Sequence, residues 1–215
     1  MSIVIWSARD RLTEQRTEQR RRCSATHCRA ESADLSRRIV RHYDQTALPE
    51  DLPMPQRPYD ERLLRQAFEV ARKARDAGEH PFGSLLADKD GNVLREQLNG
   101  YKSGGGDRTA HAERLLASWA GMNFSLEKLA SCTLYTSAEP CAMCSGTIYW
   151  AGIGRVVFGQ CEHDVKGLTG AHVENPTLDL PCTIVFEAGQ RPTEVVGPLL
   201  ADEAAQLHAD FWEDK

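Results

Sequence analysis

Cys132-Thr-Leu-Tyr-Thr-Ser-Ala-Glu-Pro-Cys-Ala-Met-Cys144 changes character halfway along its length. Cys132–Ser137 reads as a strand. Glu139–Cys144 opens a helix that runs to about Ala151, with Pro140 at its start, where a missing N–H is not needed. Arg155–Gly159 then reads as a further strand. Strand, helix and strand in this order point to an α/β protein.

The same alternation extends in both directions. Upstream, Leu63, Leu64, Ala67, Phe68, Ala71 and Ala74 follow the helical period, with Asp60 as the expected cap and Gly78 as the stop. Gly83–Ala87 and Val93–Gln97 form a predicted hairpin around the turn Asp88-Lys-Asp-Gly-Asn92. Gly100–Thr109, with three consecutive glycines, is expected to be a mobile lid or a plain linker. Its Lys-Ser order does not match a phosphate-binding loop. A helix is expected from about Ala110 to Met122. Downstream, the pattern leaves 160–182 undetermined and 183–190 open between strand and helix. A last strand is expected over Thr193–Gly197, and a final helix from Asp202 through Trp212. The fold class is α/β, a three-layer α/β/α sandwich on a five-stranded mixed sheet.

The first 58 residues are different in kind. Residues 1–50 carry ten arginines, no lysine and seven acidic residues, a balance of +3, while the remainder sums to −8. The repeat Thr13–Arg16, Thr17–Arg20 and the prolines at 49, 53, 55 and 58 suit a segment that buries little. The expected division is a disordered extension over 1–58, or an overlong reading frame starting near Met54, followed by a domain over 59–215. Cys23, His27 and Cys28 lack a fourth metal partner nearby. No apolar run is long enough for a membrane span or a secretory signal. Seven cysteines, an odd number, argue against a disulfide framework and for a cytoplasmic protein. The acidic body is a poor footprint for nucleic acid.

The chemistry concentrates in His111-Ala-Glu113 and Pro140-Cys-Ala-Met-Cys144. Cysteines three apart at a helix start share one face, and the helix N-terminus favours thiolates. With His111 they give a formally neutral Zn2+ site whose fourth position stays open, the composition of a catalytic centre. Zinc brings the pKa of water to about 7. Glu113, two residues past the ligand, is placed to carry protons between that water, a ring nitrogen and a departing amine.

His-x-Glu with Pro-Cys-x-x-Cys is a signature of zinc deaminases of nucleobases. With Pro81-Phe-Gly83, Asn99, Leu134-Tyr-Thr-Ser137 and Ile148-Tyr-Trp150, the chain resembles the cytidine deaminase superfamily from about Leu63 to Trp212. Its branch looks like bacterial guanine deaminase, fungal cytosine deaminase and the tRNA adenosine deaminases. The resemblance implies a five-stranded sheet between helices, usually in a homodimer or larger oligomer. Asn99 matches the position where members hydrogen-bond the substrate. Phe82, Ala112 and Trp150 are the other candidate substrate contacts, the two aromatics as stacking partners for a base.

Plainer readings stand beside these. Asn99 also suits a turn, Phe82 and Trp150 also suit packing, and Cys132 and Cys182 suit the core. Cys161 or His163 would be the fourth ligand of a purely structural zinc. Guanine-type relatives carry paired aspartates after the fourth strand. Here Lys166–Asn175 holds only Glu174, and Glu162 and Asp164 stand displaced. The expected function is hydrolytic deamination of a small nucleobase or nucleoside. The alternatives are adenosine-to-inosine deamination of tRNA, with Lys102, Arg108, Arg114 and Lys166 as phosphate contacts, and a non-catalytic zinc-stabilised binding module.

Overall fold

Helix α1, Asp60–Asp76, forms where the apolar period predicts it and buries Leu63, Leu64, Ala67, Phe68, Ala71 and Ala74. The computed structural model describes residues 56–170 and 172–212. The expected extension, with Cys23, His27 and Cys28, lies outside the described residues up to residue 55. After α1 come β1 (Gly83–Ala87), β2 (Val93–Leu98), α2 (Ala112–Asn123), α3 (Leu126–Ala130), β3 (Thr133–Ala138), α4 (Ala142–Ala151) and β4 (Arg155–Gln160). Then follow α5 (Glu162–Thr169), α6 (Cys182–Glu187), β5 (Glu194–Val196) and α7 (Ala201–Ala205), with a 3-10 turn over Gln206–His208. The undetermined region thus contains α5, and the ambiguous stretch after it is helical.

The sheet order is β2-β1-β3-β4-β5. β1 pairs antiparallel with β2 and β3, while β3–β4 and β4–β5 are parallel. Alternate residues of β3 and β4 serve opposite faces, as a strand requires. Leu134, Val156 and Phe158 pack with Leu116, Ala117 and Ile148 of α2 and α4. Tyr135 and Val157 pack with α1 and with Ala204 of α7. This is the expected three-layer sandwich. Gly83 permits the tight approach of β1 to α1, since a Cβ there would lie 2.3 Å from the Ala71 nitrogen.

Two local expectations are corrected. Asp60 is not the cap: it is the first residue of α1, 1% exposed, and forms a buried ion pair. Arg155 donates to both its oxygens at 2.8 and 2.7 Å, and the Tyr135 hydroxyl donates to Oδ1 at 2.6 Å. The final helix stops at Ala205 and does not reach Trp212. The chain tightens to the 3-10 turn and Ala209 then leaves helical geometry with a ψ of 129°, before Asp210 takes a positive φ of 59°. Trp212 then turns inward and its indole donates to His208 Nδ1 at 3.2 Å. No helix among the described residues is long and apolar enough to cross a membrane.

Candidate metal centre and active site

Two helix starts face each other at the end of the sheet where β3 and β4 finish. His111 is the N-cap of α2 and Cys141 the N-cap of α4, both extended in backbone. Cys144 lies in the first turn of α4, fully buried. His111 Nδ1 stands 3.7 Å from Cys141 Sγ and 3.5 Å from Cys144 Sγ. A tetrahedral zinc ion with standard Zn–S and Zn–N bonds sets sulfur and nitrogen about 3.6 Å apart. The donor set therefore fits that ion in type and spacing. Among the described residues this is the one such group of three. Cys161 and His163 do not join it: His163 is exposed and bonds Asp179 at 3.3 Å. Hydrogen bonding from Cys144 holds Cys141 down at about 4 despite its burial, with His111 adding to the effect.

Glu113, in the first turn of α2, is 4% exposed and turns its carboxylate to the same place. Oε2 lies 3.7 Å from Cys144 Sγ. Oε1 accepts the Thr136 hydroxyl proton at 2.7 Å, and Thr136 Oγ1 accepts from Ser84 at 3.0 Å. This relay fixes the carboxylate's direction. Burial pushes Glu113 up, against the pull of His111 and the Thr136 hydrogen bond. Ser84 and Thr136 escaped the sequence reading. The available signal was weak: β1 carries one hydroxyl residue, Ser84, but β3 carries Thr133, Thr136 and Ser137, and only the register pairs Ser84 with Thr136.

A second acid also reaches this region. Glu162 opens α5, is 8% exposed and is pushed up to about 8 by burial, then by the negative charges of Cys141, Glu113 and Glu139. In the sequence it stands displaced from the positions expected for paired pocket acids. Glu139 is what seats it: one carboxylate oxygen accepts the Glu162 N–H at 3.0 Å, and the other accepts the Cys182 N–H at 2.8 Å. One buried side chain thereby ties down the starts of α5 and α6.

The remaining candidates divide. Asn99 is 3% exposed, and its Oδ1 accepts the Tyr101 N–H at 2.9 Å. The turn role is therefore real, and it leaves Nδ2 without an acceptor among the described residues. Ala112, fully buried, lies between ligand and acid. Phe82 packs against His208 and Trp212, with ring centres 5.0 and 6.3 Å away. Trp150 is not brought to the site in this chain. It is 79% exposed, six residues beyond Cys144, or about 9 Å along the helix axis. Cys132 and Cys182 are core residues, as expected. The stretch Gly100–Thr109 is crossed by backbone hydrogen bonds from Gly104 to Gly100, Gly106 to Tyr101 and Gly100 to Ala110.

Comparison with known proteins agrees with this geometry. The family model described as the cytidine and deoxycytidylate deaminase zinc-binding region matches residues 57–160. A probable cytosine deaminase of Schizosaccharomyces pombe is 43% identical over 155 residues, covering 72% of this chain and 93% of that protein. A tRNA-specific adenosine deaminase of Haemophilus influenzae is 38% identical over 157 residues, 73% of this chain and 85% of the other. The solved guanine deaminase of Nitrosomonas europaea shares the fold, with a TM-score of 0.57 at 24% identity over 77% of this chain and 98% of that one. High identity to a relative over nearly all its length, joined to a donor set of zinc dimensions, settles membership: this chain belongs to the cytidine and deoxycytidylate deaminase family, zinc-binding hydrolases that act on C–N bonds.

Proposed function

We propose that this protein is a zinc-dependent deaminase of a small nucleobase or nucleoside, releasing ammonia. The observation that carries the reading is the Glu113 carboxylate, buried beside the His111, Cys141 and Cys144 donors and aimed by Thr136. Bound there, zinc supplies a water acidic enough to ionise near neutral pH. Glu113 accepts the first proton as water attacks the amino-bearing carbon, and delivers it to the adjacent ring nitrogen. It then takes the second proton from the added oxygen and passes it to the amino group. Ammonia leaves as the carbon becomes a carbonyl. Asn99 Nδ2 is suited to donate to a ring substituent, and Glu162 to accept from a ring N–H or exocyclic amine.

A small substrate fits the charges. Of the cations that would meet tRNA phosphates, Lys166 is engaged by Asp179 at 3.0 Å and Arg114 faces Asp107 at 3.6 Å. The identity to a cytosine deaminase over 93% of its length points the same way. The identity to a tRNA-specific adenosine deaminase keeps that activity as the second reading. The proposal includes a cytoplasmic protein, in keeping with the free cysteines at 132, 141, 144, 161 and 182. It also includes a homodimer, supported by the exposure of Met122, Leu126 and Trp150.

The test is ammonia release from cytosine, guanine, adenine, their nucleosides, s-triazines and tRNA, with Glu113→Ala as control. Turnover of one small heterocycle, lost in the control, supports the reading. Inosine formed in tRNA with no small substrate turned over would replace it. Ligand binding without ammonia release, unchanged in Glu113→Gln, would make the protein a binding module.

A further inference from the structure

Glu79 has no part in the chemistry described so far, yet it is a carboxylate only 6% exposed. Its position follows from how α1 ends. Gly78 takes a φ of 78°, its N–H bonds to the Arg75 carbonyl, and the Glu79 N–H bonds back to the Ala74 carbonyl at 2.9 Å. This is the Schellman stop, which turns the chain sharply out of the helix. Glu79 then meets the loop after β2. Oε2 accepts the Lys102 N–H at 2.6 Å, and Oε1 accepts the Ser103 N–H at 2.8 Å. Burial opposes ionisation here, but these bonds and the Ser103 side chain outweigh it and hold Glu79 below the usual carboxylate range. On the other side of the loop, Tyr101 stacks on His80 at 4.3 Å and 14°.

We propose that Glu79 is a positioning residue that fixes the amide of Asn99 by clamping the loop at Lys102 and Ser103. The inference rests on the reading of Asn99 as a substrate contact. Tyr101 is the link between them. Its N–H is the donor that holds Asn99 Oδ1, and it lies immediately before the two amides that Glu79 binds. The loop closes on itself through Gly104 to Gly100 and Gly100 to Ala110, next to His111. Removing the carboxylate's charge therefore loosens the turn at the residue that orients Asn99. Loop backbone without such an anchor opens readily.

The experiment compares the zinc-loaded full chain with Glu79→Gln, Asn99→Ala and the double variant. Hydrogen exchange at Tyr101, Lys102 and Ser103 is measured together with kcat/KM on whichever substrate the panel identifies. In Glu79→Gln all three amides are expected to exchange faster. Its kcat/KM is expected to fall roughly tenfold, the effect of one lost charge-assisted hydrogen bond. In the Asn99→Ala background the same change is expected to have little effect, because its route to the substrate is already gone. Equal losses in both backgrounds, or an unchanged Tyr101 amide, would overturn the proposal. So would full activity in Asn99→Ala beside a loss in Glu79→Gln. If no substrate in the panel reacts, the proposed function fails, and Tyr101 exchange still decides the clamp. Should Glu79→Gln not fold, Glu79→Asp, charged but one methylene too short, carries the same comparison.

Discussion

Replacing Thr136 by Val removes one hydroxyl and leaves a side chain of nearly the same shape. That hydroxyl donates to Glu113 Oε1 at 2.7 Å, and both partners are buried. A hydrogen bond to a charged group contributes about 1.5–3 kcal/mol. Expressed wholly in the transition state, that is a fall of about ten- to hundredfold in kcat/KM. The loss belongs mainly in kcat, because in the proposed mechanism Glu113 moves protons during the reaction and does not hold the substrate. Ser84 loses its acceptor in the same variant, at a stability cost of about 1 kcal/mol, so thermal unfolding must be followed alongside. Thr136→Ser keeps the hydroxyl and is expected to stay near wild type. The assay is steady-state ammonia release at full zinc occupancy. A folded, zinc-replete Thr136→Val within twofold of wild type refutes the claim that this hydroxyl aims the acid.

Chelation, or Cys144→Ser, is expected to abolish ammonia release, and metal analysis of the untreated protein to give about one zinc per chain; activity that persists in metal-free protein excludes the site as described. Asp60→Ala removes the carboxylate that both guanidinium ends of buried Arg155 bind, and is expected to cost about 3–5 kcal/mol in urea unfolding. A loss below about 1 kcal/mol contradicts the buried-pair assignment. His208 gives a pH test: burial, then the charge of Arg75, lowers it from 6.5 to about 4. Its neutral form belongs to the fold, so its contribution is complete above pH 6.5 and is lost as pH falls towards 4. Between pH 7 and 5 this amounts to about 2 kcal/mol, a slope that His208→Phe should lack.

How far the sequence could be read depended on distance along the chain. The Cys141–Cys144 spacing, the Pro140 start and the amphipathic period of α1 are properties of single elements. Helix and strand periods dictate which residues share a face, so the cysteine pair and the alternation of elements were legible in the sequence; His111, 30 residues before Cys141, joined them only through the paired His-x-Glu and Pro-Cys-x-x-Cys signature. Glu113 was legible for the same reason, being two residues from a ligand. Glu162 was not. Its arrival beside Cys141 depends on Glu139, 23 residues earlier, accepting its backbone N–H. Nor was the relay to Glu113 legible, since Ser84 and Thr136 meet only because β1 lies beside β3 in that register.

The same distinction explains the corrections. Asp60 fits a cap by local rules, but Arg155, 95 residues away, claims both its oxygens. Sequence alone pointed to the metal donors, the candidate proton carrier and the layered α/β class, through one pair of short motifs and the periods of single elements. The tertiary structure decided what surrounds the donors: a second acid, a hydroxyl relay and a clamped loop. Those depend on which strands become neighbours, a global outcome that no local period contains.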